Sequence, residues 1–169
     1  MFETFAPGRP EPPGLDVLDP ILKAQFEQHY QGVQREAPSI IATLFRKDMA
    51  MELRFARAGG LLLAGTDPTG YGGVIPGYSD QREVELLVEA GFTPLEAIRI
   101  CTLNGATYLG RADRVGSLAP GKQADLVVIA GNPAANVSDI RNVVTVFRQG
   151  VGYDPRKLIG SVQGRVGLF

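Results

Sequence analysis

Histidine and cysteine are almost absent from this sequence, which holds one of each among 169 residues. A single cysteine, Cys101, cannot build an internal disulfide framework and suits a reducing compartment, so we predict a cytoplasmic protein. We expect Cys101 to be a small buried residue on a helix. Because a metal site needs several ligands, the lone His29 is expected to be an ordinary surface or half-buried helix residue.

Long apolar runs and blocks of like charge are missing as well. No stretch has the length that a bilayer requires, and residues 1–19 lack the basic and apolar regions of a signal peptide. The 17 Lys and Arg and the 18 Asp and Glu are spread along the chain and give a net charge of −1. This pattern argues against nucleic acid or a membrane as the main partner and leaves a small-molecule substrate as the expectation.

The N-terminal 20 residues are rich in proline, which predicts an extended segment. Such a segment suits a chain that lies across another part of the molecule, or the cut end of a longer chain. The sequence as a whole is 44% hydrophobic and 21% charged, which is typical of a globular protein.

The most informative stretch is the apolar run Leu61-Leu62-Leu63-Ala64-Gly65, which Thr66, Asp67 and Pro68 follow. An unbroken apolar run predicts a strand that is buried on both faces, as in a parallel sheet. Pro68 cannot donate to a sheet, so the strand must end by Asp67. That places Asp67 at the carboxyl tip of the strand, where α/β enzymes carry their chemistry. Equally, Asp-Pro is a common way to open a turn.

Helices flank this predicted strand. The apolar spacing predicts helices over residues 21–30, 39–58 and 81–90. A further helix is predicted from Thr93 to about Leu103, where Thr93-Pro94-Leu95-Glu96 forms a capping box, and Asn104 is expected to cap a short extra turn.

The loop over residues 66–80 is long and glycine-rich, and long ordered loops are often functional. Its Thr66, Thr69, Tyr71 and Tyr78 offer hydroxyls and rings to a substrate, and Arg82 can reach in from the next helix.

After Gly110 the pattern becomes that of an antiparallel β unit. Strands are predicted over residues 114–118, 124–129, 143–147 and 151–153, with a short final helix over 155–162. We therefore place a boundary near Ala112.

An ordered series of motifs resembles the C-terminal part of the amidohydrolase superfamily, and within it the imidazolonepropionase-like and prolidase-like hydrolases. The series covers residues 52–153 and consists of Leu62-Leu63-Ala64-Gly65-Thr66-Asp67, then Glu83 through Ala97, then Thr102-Leu103-Asn104-Gly105-Ala106, then Gly116 through Val128. Each motif alone is weak, but their order and spacing are specific.

The resemblance implies an α/β fold, with residues 1–112 as the C-terminal part of a metal-dependent (β/α)8 TIM barrel. Residues 113–169 would be strands of a composite β-sandwich. It further implies that residues 61–65 form the last barrel strand. Asp67 would then be both a metal ligand and the general base that takes the proton from the attacking water.

The superfamily's other metal ligands, several of them histidines, have no counterpart here. The resemblance therefore implies a divalent metal with most of its ligands outside this chain, and zinc is the metal we expect. One hypothesis is a portion of a hydrolase that cleaves a non-peptide or dipeptide-like carbon–nitrogen bond. The other is a non-catalytic binding or structural module, either a fragment or a degenerate amidohydrolase. A lone barrel strand leaves unpaired edges, so we expect poor solubility or a homo-oligomer.

Overall fold

The computed structural model describes residue 9 and residues 11–35, 40–68 and 73–167. Its longer helices are α1 (Pro20–Arg35), α2 (Ile40–Arg57) and α3 (Tyr78–Glu89). They are followed by α4 (Pro94–Arg99), a π-helical turn (Ile100–Asn104) and α5 (Gly105–Tyr108). The strands β1 (Leu126–Ile129), β2 (Val143–Arg148) and β3 (Val151–Tyr153) precede α6 (Pro155–Val162). Short 3-10 helices cover Leu15–Val17 and Val137–Arg141.

The predicted helices are confirmed within the described ranges, and the start of α4 shows the chemistry expected there. Thr93 accepts a hydrogen bond from the backbone N–H of Glu96, and the Glu96 carboxylate accepts one from the N–H of Thr93. This reciprocal pair satisfies two helix-end donors that would otherwise lack partners. His29 is half-buried on α1, as predicted, whereas Cys101 lies in the π-helical turn and is half-buried rather than buried.

Asn104 does not cap a helix, contrary to the prediction. Its backbone is helical, and its side chain makes no cap hydrogen bond. It continues the helix from α4 into α5 through the π-helical turn, so its side chain is available for a different contact.

The three strands form one antiparallel sheet in the order β1-β2-β3. Leu126 pairs with Phe147, and Val146 pairs with Tyr153; the register shifts between Val128 and Ile129. The prediction of a strand over residues 114–118 is wrong. Gly116 has a φ of 86°, and the N–H groups of Arg114 and Val115 both donate to the carbonyl of Arg111, so this segment is a series of turns.

The proline-rich segment packs against the other end of the described chain. The N–H of Asp19 donates to the carbonyl of Val166, and the N–H of Val166 donates to the carbonyl of Val17. A small core, here called the N-terminal core, fills the space beneath these bonds and consists of Leu15, Val17, Leu18, Phe26 and Ile75. Burial of these apolar side chains holds residues 15–18 in place, and because Leu15–Val17 is a 3-10 helix, the segment is not extended throughout as predicted.

A second core, here called the helical core, lies between α3 and α4 and consists of Val84, Leu87, Phe92, Ala97 and Ile100. Leu53 and Ala56 from α2 pack against its rim. The opposite side of α2 is open, and Met51 and Phe55 are more than half exposed. The apolar stripe predicted for this helix is therefore only partly covered by described residues.

Residues 61–65 form neither a regular strand nor a segment buried on both faces, which corrects both predictions. Burial alternates instead: Leu62 and Ala64 are half-buried against the helical core, while Leu61 and Leu63 are 45% and 37% exposed. This period of two is the pattern of an extended chain with one covered face. A strand is defined by its neighbours, and no described residue forms a ladder with this segment.

The described residues therefore show a mixed helix and strand fold, with a three-stranded sheet after the helices. The closed barrel, the sandwich and the boundary near Ala112 stay predictions. Each helix in the described ranges is too short or too polar to cross a bilayer.

We expect the 169-residue chain to self-associate, because Leu61 and Leu63 lie on the open face of an extended segment that no described strand covers. A double change of Leu61 and Leu63 to lysine should shift the distribution towards monomer in sedimentation velocity. Leu118→Lys is the matched control, because Leu118 is 83% exposed in a turn. A monodisperse wild-type monomer with a cooperative melt would contradict this expectation.

Candidate functional site

A cavity of about 600 Å³ opens beside Gly65 and Thr66. These two residues lie at the end of residues 61–66, which we call the extended segment. Most of the wall comes from α2, α3, the proline-rich segment and residues 65–66 and 73–74. Three of the predicted substrate-binding residues, Thr66, Tyr78 and Arg82, lie on this wall. Thr69 and Tyr71 lie outside the described residues.

Asp67 directly follows the cavity residue Thr66, and its own side chain is exposed. Its φ of 47° lies in the left-handed region, which aspartate tolerates better than most residues. The Thr66 hydroxyl donates to a carboxylate oxygen of Asp80 at 3.0 Å and so ties this corner to the first turn of α3. Asp67 is not among the described residues that line the cavity.

Tyr78 serves the fold as well as the cavity. Its ring lies against the backbone of Gly14, where any Cβ would collide with it, and Gly14 has a φ of 87°. Burial, with a contribution from Asp16, raises the pKa of the Tyr78 hydroxyl. A raised pKa keeps this hydroxyl neutral, so towards a ligand it would act as a hydrogen-bonding group.

Arg82 reaches the cavity wall, but two carboxylates hold its guanidinium. It donates to Glu85 at 2.9 Å and to Glu89 at 2.5 Å. The structure thus gives Arg82 a role in an ionic network, which sequence reasoning did not anticipate.

Glu85 is the centre of that network and is 7% exposed. Arg141, from the short helix Val137–Arg141, donates to both of its carboxylate oxygens at 2.6 and 2.7 Å. The network continues through Arg82 to Glu89, which also accepts a bond from Arg9 at 2.6 Å. We call this set of five residues the ionic ladder; it joins the proline-rich segment, α3 and the chain beyond Ala112.

The charges of the ladder stabilise the ionised form of Glu85. Burial by itself raises the pKa of this carboxyl, but the hydrogen bonds and charges of Arg141 and Arg82 outweigh it, and the pKa lies below its usual value. The pKa of Glu89 is lowered in the same way, because bonds from Arg9 and Arg82 outweigh its desolvation.

A second unanticipated contact holds the extended segment. The side-chain amide of Asn104 donates to the backbone carbonyl of Leu62 at 2.9 Å, across 42 residues of sequence. Local patterns carry no signal for a contact of this range. The only hint was that Asn104 belongs to one of the ordered motifs.

The described residues do not assemble a metal centre by themselves. Nowhere among them do three or more histidine, cysteine or carboxylate side chains come together in a group that could hold an ion. Asp67 offers one exposed carboxylate, whereas a catalytic zinc site takes about three protein ligands. This part of the chain therefore does not fit a complete metal site.

Comparison with known proteins places these features in a lineage. The sequence model of the amidohydrolase family matches residues 46–152, which is more than half of the chain. Imidazolonepropionase of Deinococcus deserti is 42% identical over 77 residues, which cover 45% of this chain and 18% of that protein. Adenine deaminase of Ligilactobacillus salivarius is 39% identical over 67 residues, which cover 40% of this chain and 11% of that protein.

Solved structures show the same likeness in three dimensions. An amidohydrolase from Thermotoga maritima superposes with a TM-score of 0.53 at 28% identity, over 63% of this chain and 26% of that one. A Xaa-Pro dipeptidase with bound methionine superposes with a TM-score of 0.53 at 24% identity, over 84% of this chain and 34% of that one. The latter likeness concerns the fold alone. The chain thus spans only a minor part of the length of these relatives.

Glu85→Gln should lower the free energy of unfolding by about 2–4 kcal/mol, because it removes the buried carboxylate that pairs with the half-buried Arg141 and leaves Arg82 with Glu89 alone. Glu89→Gln is the control on the same helix, and its side chain is 39% exposed. We expect a loss of under about 1 kcal/mol for this variant. Urea unfolding measures both losses.

The stability contribution of Glu85 depends on pH, and the lowered pKa of its carboxyl sets the direction of that dependence. The folded pKa of Glu85 is lowered, so its contribution is present above the unfolded value of about 4.3 and is lost as the pH falls through the folded pKa. The difference between wild type and Glu85→Gln should therefore shrink in acid. A difference that stays constant through this range would contradict the ionic role of Glu85.

Proposed function

Since the chain belongs to the amidohydrolase family, we propose that it forms the C-terminal portion of a metal-dependent hydrolase. The bond broken is a carbon–nitrogen bond of an amide or cyclic amide, non-peptide or dipeptide-like. The name of one similar protein, imidazolonepropionase, supports this substrate class. The observation that carries the proposal is the position of Asp67, which directly follows the cavity residue Thr66 at the end of the extended segment and has an exposed side chain.

In this proposal Asp67 is the general base. Its carboxylate accepts a proton from a water molecule, and the water oxygen bonds to the carbonyl carbon of the substrate. The carbon–nitrogen bond then breaks, and the nitrogen leaves with a proton. The exposed position of Asp67 leaves it accessible to water, and Thr66 and Tyr78 present hydroxyls on the adjoining wall.

A divalent metal, zinc first, would supply Lewis-acid activation of water and substrate in such an enzyme. Asp67 would be one of its ligands, and the other ligands would come from outside the described residues. Thr69, Tyr71 and Tyr78 are proposed to shape the substrate site together with Thr66, while Arg82 supports that wall through Glu85 and Glu89.

A second candidate is a non-catalytic binding or structural module. It is favoured by the single histidine of the chain and by the lack of a metal-holding group among the residues that the structure describes. In this case the cavity and the ionic ladder would remain, but Asp67 would have no chemical role.

Replacing Asp67 by asparagine separates the two candidates in the protein at its natural length. Asparagine keeps the shape but cannot accept the proton, so we expect kcat on cyclic amides or dipeptides to fall by about 100-fold to 10,000-fold. Asp113→Asn is the control, because Asp113 is also exposed and lies in the turns beyond Ala112. Full activity of Asp67→Asn would refute the catalytic role.

Metal analysis of the purified 169-residue chain gives an independent answer. We expect less than stoichiometric zinc after dialysis, because one carboxylate holds a metal weakly. Mass spectrometry of the metal content, with Asp67→Asn as the comparison, measures this. Tight stoichiometric zinc in the isolated chain would contradict the inference that the other ligands lie elsewhere.

A further inference from the structure

The helix that follows α3 contains a local irregularity at Ile100–Asn104, where α-helical spacing gives way to a π-helical turn. A π-helical turn inserts one residue and rotates every later side chain by about 100° relative to the earlier ones. Such turns are often found where a side chain must be aimed at a particular place. Here the last residue of the turn is Asn104.

The rotated Asn104 side chain meets the extended segment. Its amide nitrogen lies 2.9 Å from the carbonyl oxygen of Leu62, and the contact is partly buried. Leu62 and Ala64 pack against the helical core, to which Ile100 from the start of the same turn also belongs. The turn therefore shares a hydrophobic core with the segment and also reaches it with a directed hydrogen bond.

The turn is also held from its other side. Gly116, with a φ of 86°, approaches so closely that a Cβ there would lie 2.5 Å from the Cβ of Ala106 and 3.1 Å from the Cα of Leu103. Only glycine permits this approach. The turn is thus fixed between the segment that leads to Asp67 and the turns beyond Ala112.

We propose that Asn104 is a positioning residue: by holding the Leu62 carbonyl, it sets where Thr66 and Asp67 stand. The inference rests on the proposed function for its catalytic consequence, but not for the contact itself. Packing of Leu62 and Ala64 fixes the segment towards the helices and leaves sliding along its length weakly opposed. A hydrogen bond is directional, so the Asn104 bond restrains the segment along its length at Leu62, as the bond from Thr66 to Asp80 does at its far end.

Aspartate in place of Asn104 tests the bond with almost no change of shape. Ionised aspartate has no hydrogen to donate and repels the carbonyl oxygen, whereas the protonated carboxyl recovers one O–H donor. Asn104→Ala removes the donor at every pH. Thr107→Val is the matched control, because its hydroxyl bonds only within the helix, to the carbonyl of Leu103 at 2.8 Å.

The readout is native-state proteolysis by thermolysin in the 169-residue chain, scored by mass spectrometry as cleavage at residues 61–63 relative to cleavage at Leu118. Leu118 is 83% exposed in a turn, so it corrects for the pH dependence of the protease and for global unfolding. At neutral pH we expect relative cleavage at 61–63 to rise about tenfold in Asn104→Asp and in Asn104→Ala, and to stay unchanged in Thr107→Val.

Lowering the pH tests whether the Asn104 side chain acts through its hydrogen bond to Leu62 or only by filling space. Relative cleavage in Asn104→Asp should return towards wild type as the new carboxyl takes up its proton, while that of Asn104→Ala should stay high. If Asn104→Asp does not fold, the rise in Asn104→Ala at unchanged Leu118 cleavage carries the test. Wild-type cleavage in Asn104→Ala, or an Asn104→Asp variant without recovery in acid, would overturn the proposal.

The catalytic consequence is measured separately, in the protein at its natural length. We expect Asn104→Ala to lower kcat about tenfold and to leave KM within about twofold, because a misplaced base slows the chemical step more than it weakens binding. A change confined to KM would overturn the catalytic part. An inactive wild type would refute the proposed function, and the proteolysis result would still decide whether Asn104 holds the segment.

Discussion

Packing of Leu62 and Ala64 against the helical core holds the extended segment, residues 61–66, against the helices. The peptide groups of this segment pair with no described strand. Burying one leucine side chain contributes up to about 1.5–3 kcal/mol, whereas a single hydrogen bond contributes about 0.5–1.5 kcal/mol. Packing therefore stabilises the segment more strongly, but it is non-directional. The Asn104 contact is weaker, but it is directional, as is the bond from Thr66 to Asp80. In our proposal, packing holds the segment against the helices, and the Asn104 bond fixes its position along its own axis.

The ionic ladder links the chain beyond Ala112 to α3, through the bonds from Arg141 to Glu85. Apolar contacts between Val137 or Ile140 and the helical core bring the two parts together but allow several packings. The two bonds from Arg141 to Glu85 accept few geometries, because a planar guanidinium meets a carboxylate edge to edge. A buried ion pair is costly to desolvate, so the loss of stability expected for Glu85→Gln reflects the guanidinium charge left uncompensated more than a net gain from the pair.

Sequence reasoning worked where the cause was local. The capping box at Thr93 and Glu96, the helix over residues 40–57 and the three strands after residue 125 all follow from spacing and turn chemistry within a few residues. It failed where the cause was distant. An apolar run does not reveal whether a neighbour exists to pair with it, so the pattern of residues 61–65 predicts a buried strand that the structure does not contain. Likewise, nothing around Glu85 or Asn104 points to partners 56 or 42 residues away.

The position of Asp67 in a motif is recognisable from the sequence, but that position alone does not make the residue a catalytic base. Pro68 stops the chain from continuing as a strand, and the left-handed φ at Asp67 turns it away, so the carboxylate is displayed and not buried. A single carboxylate orients no water by itself. Effective catalysis needs a second group that fixes the water against it. In the proposed enzyme that group would come from outside the described residues, which hold no such cluster. The part proposed for this chain is the placement of the carboxylate, through Leu62, Ala64 and Asn104.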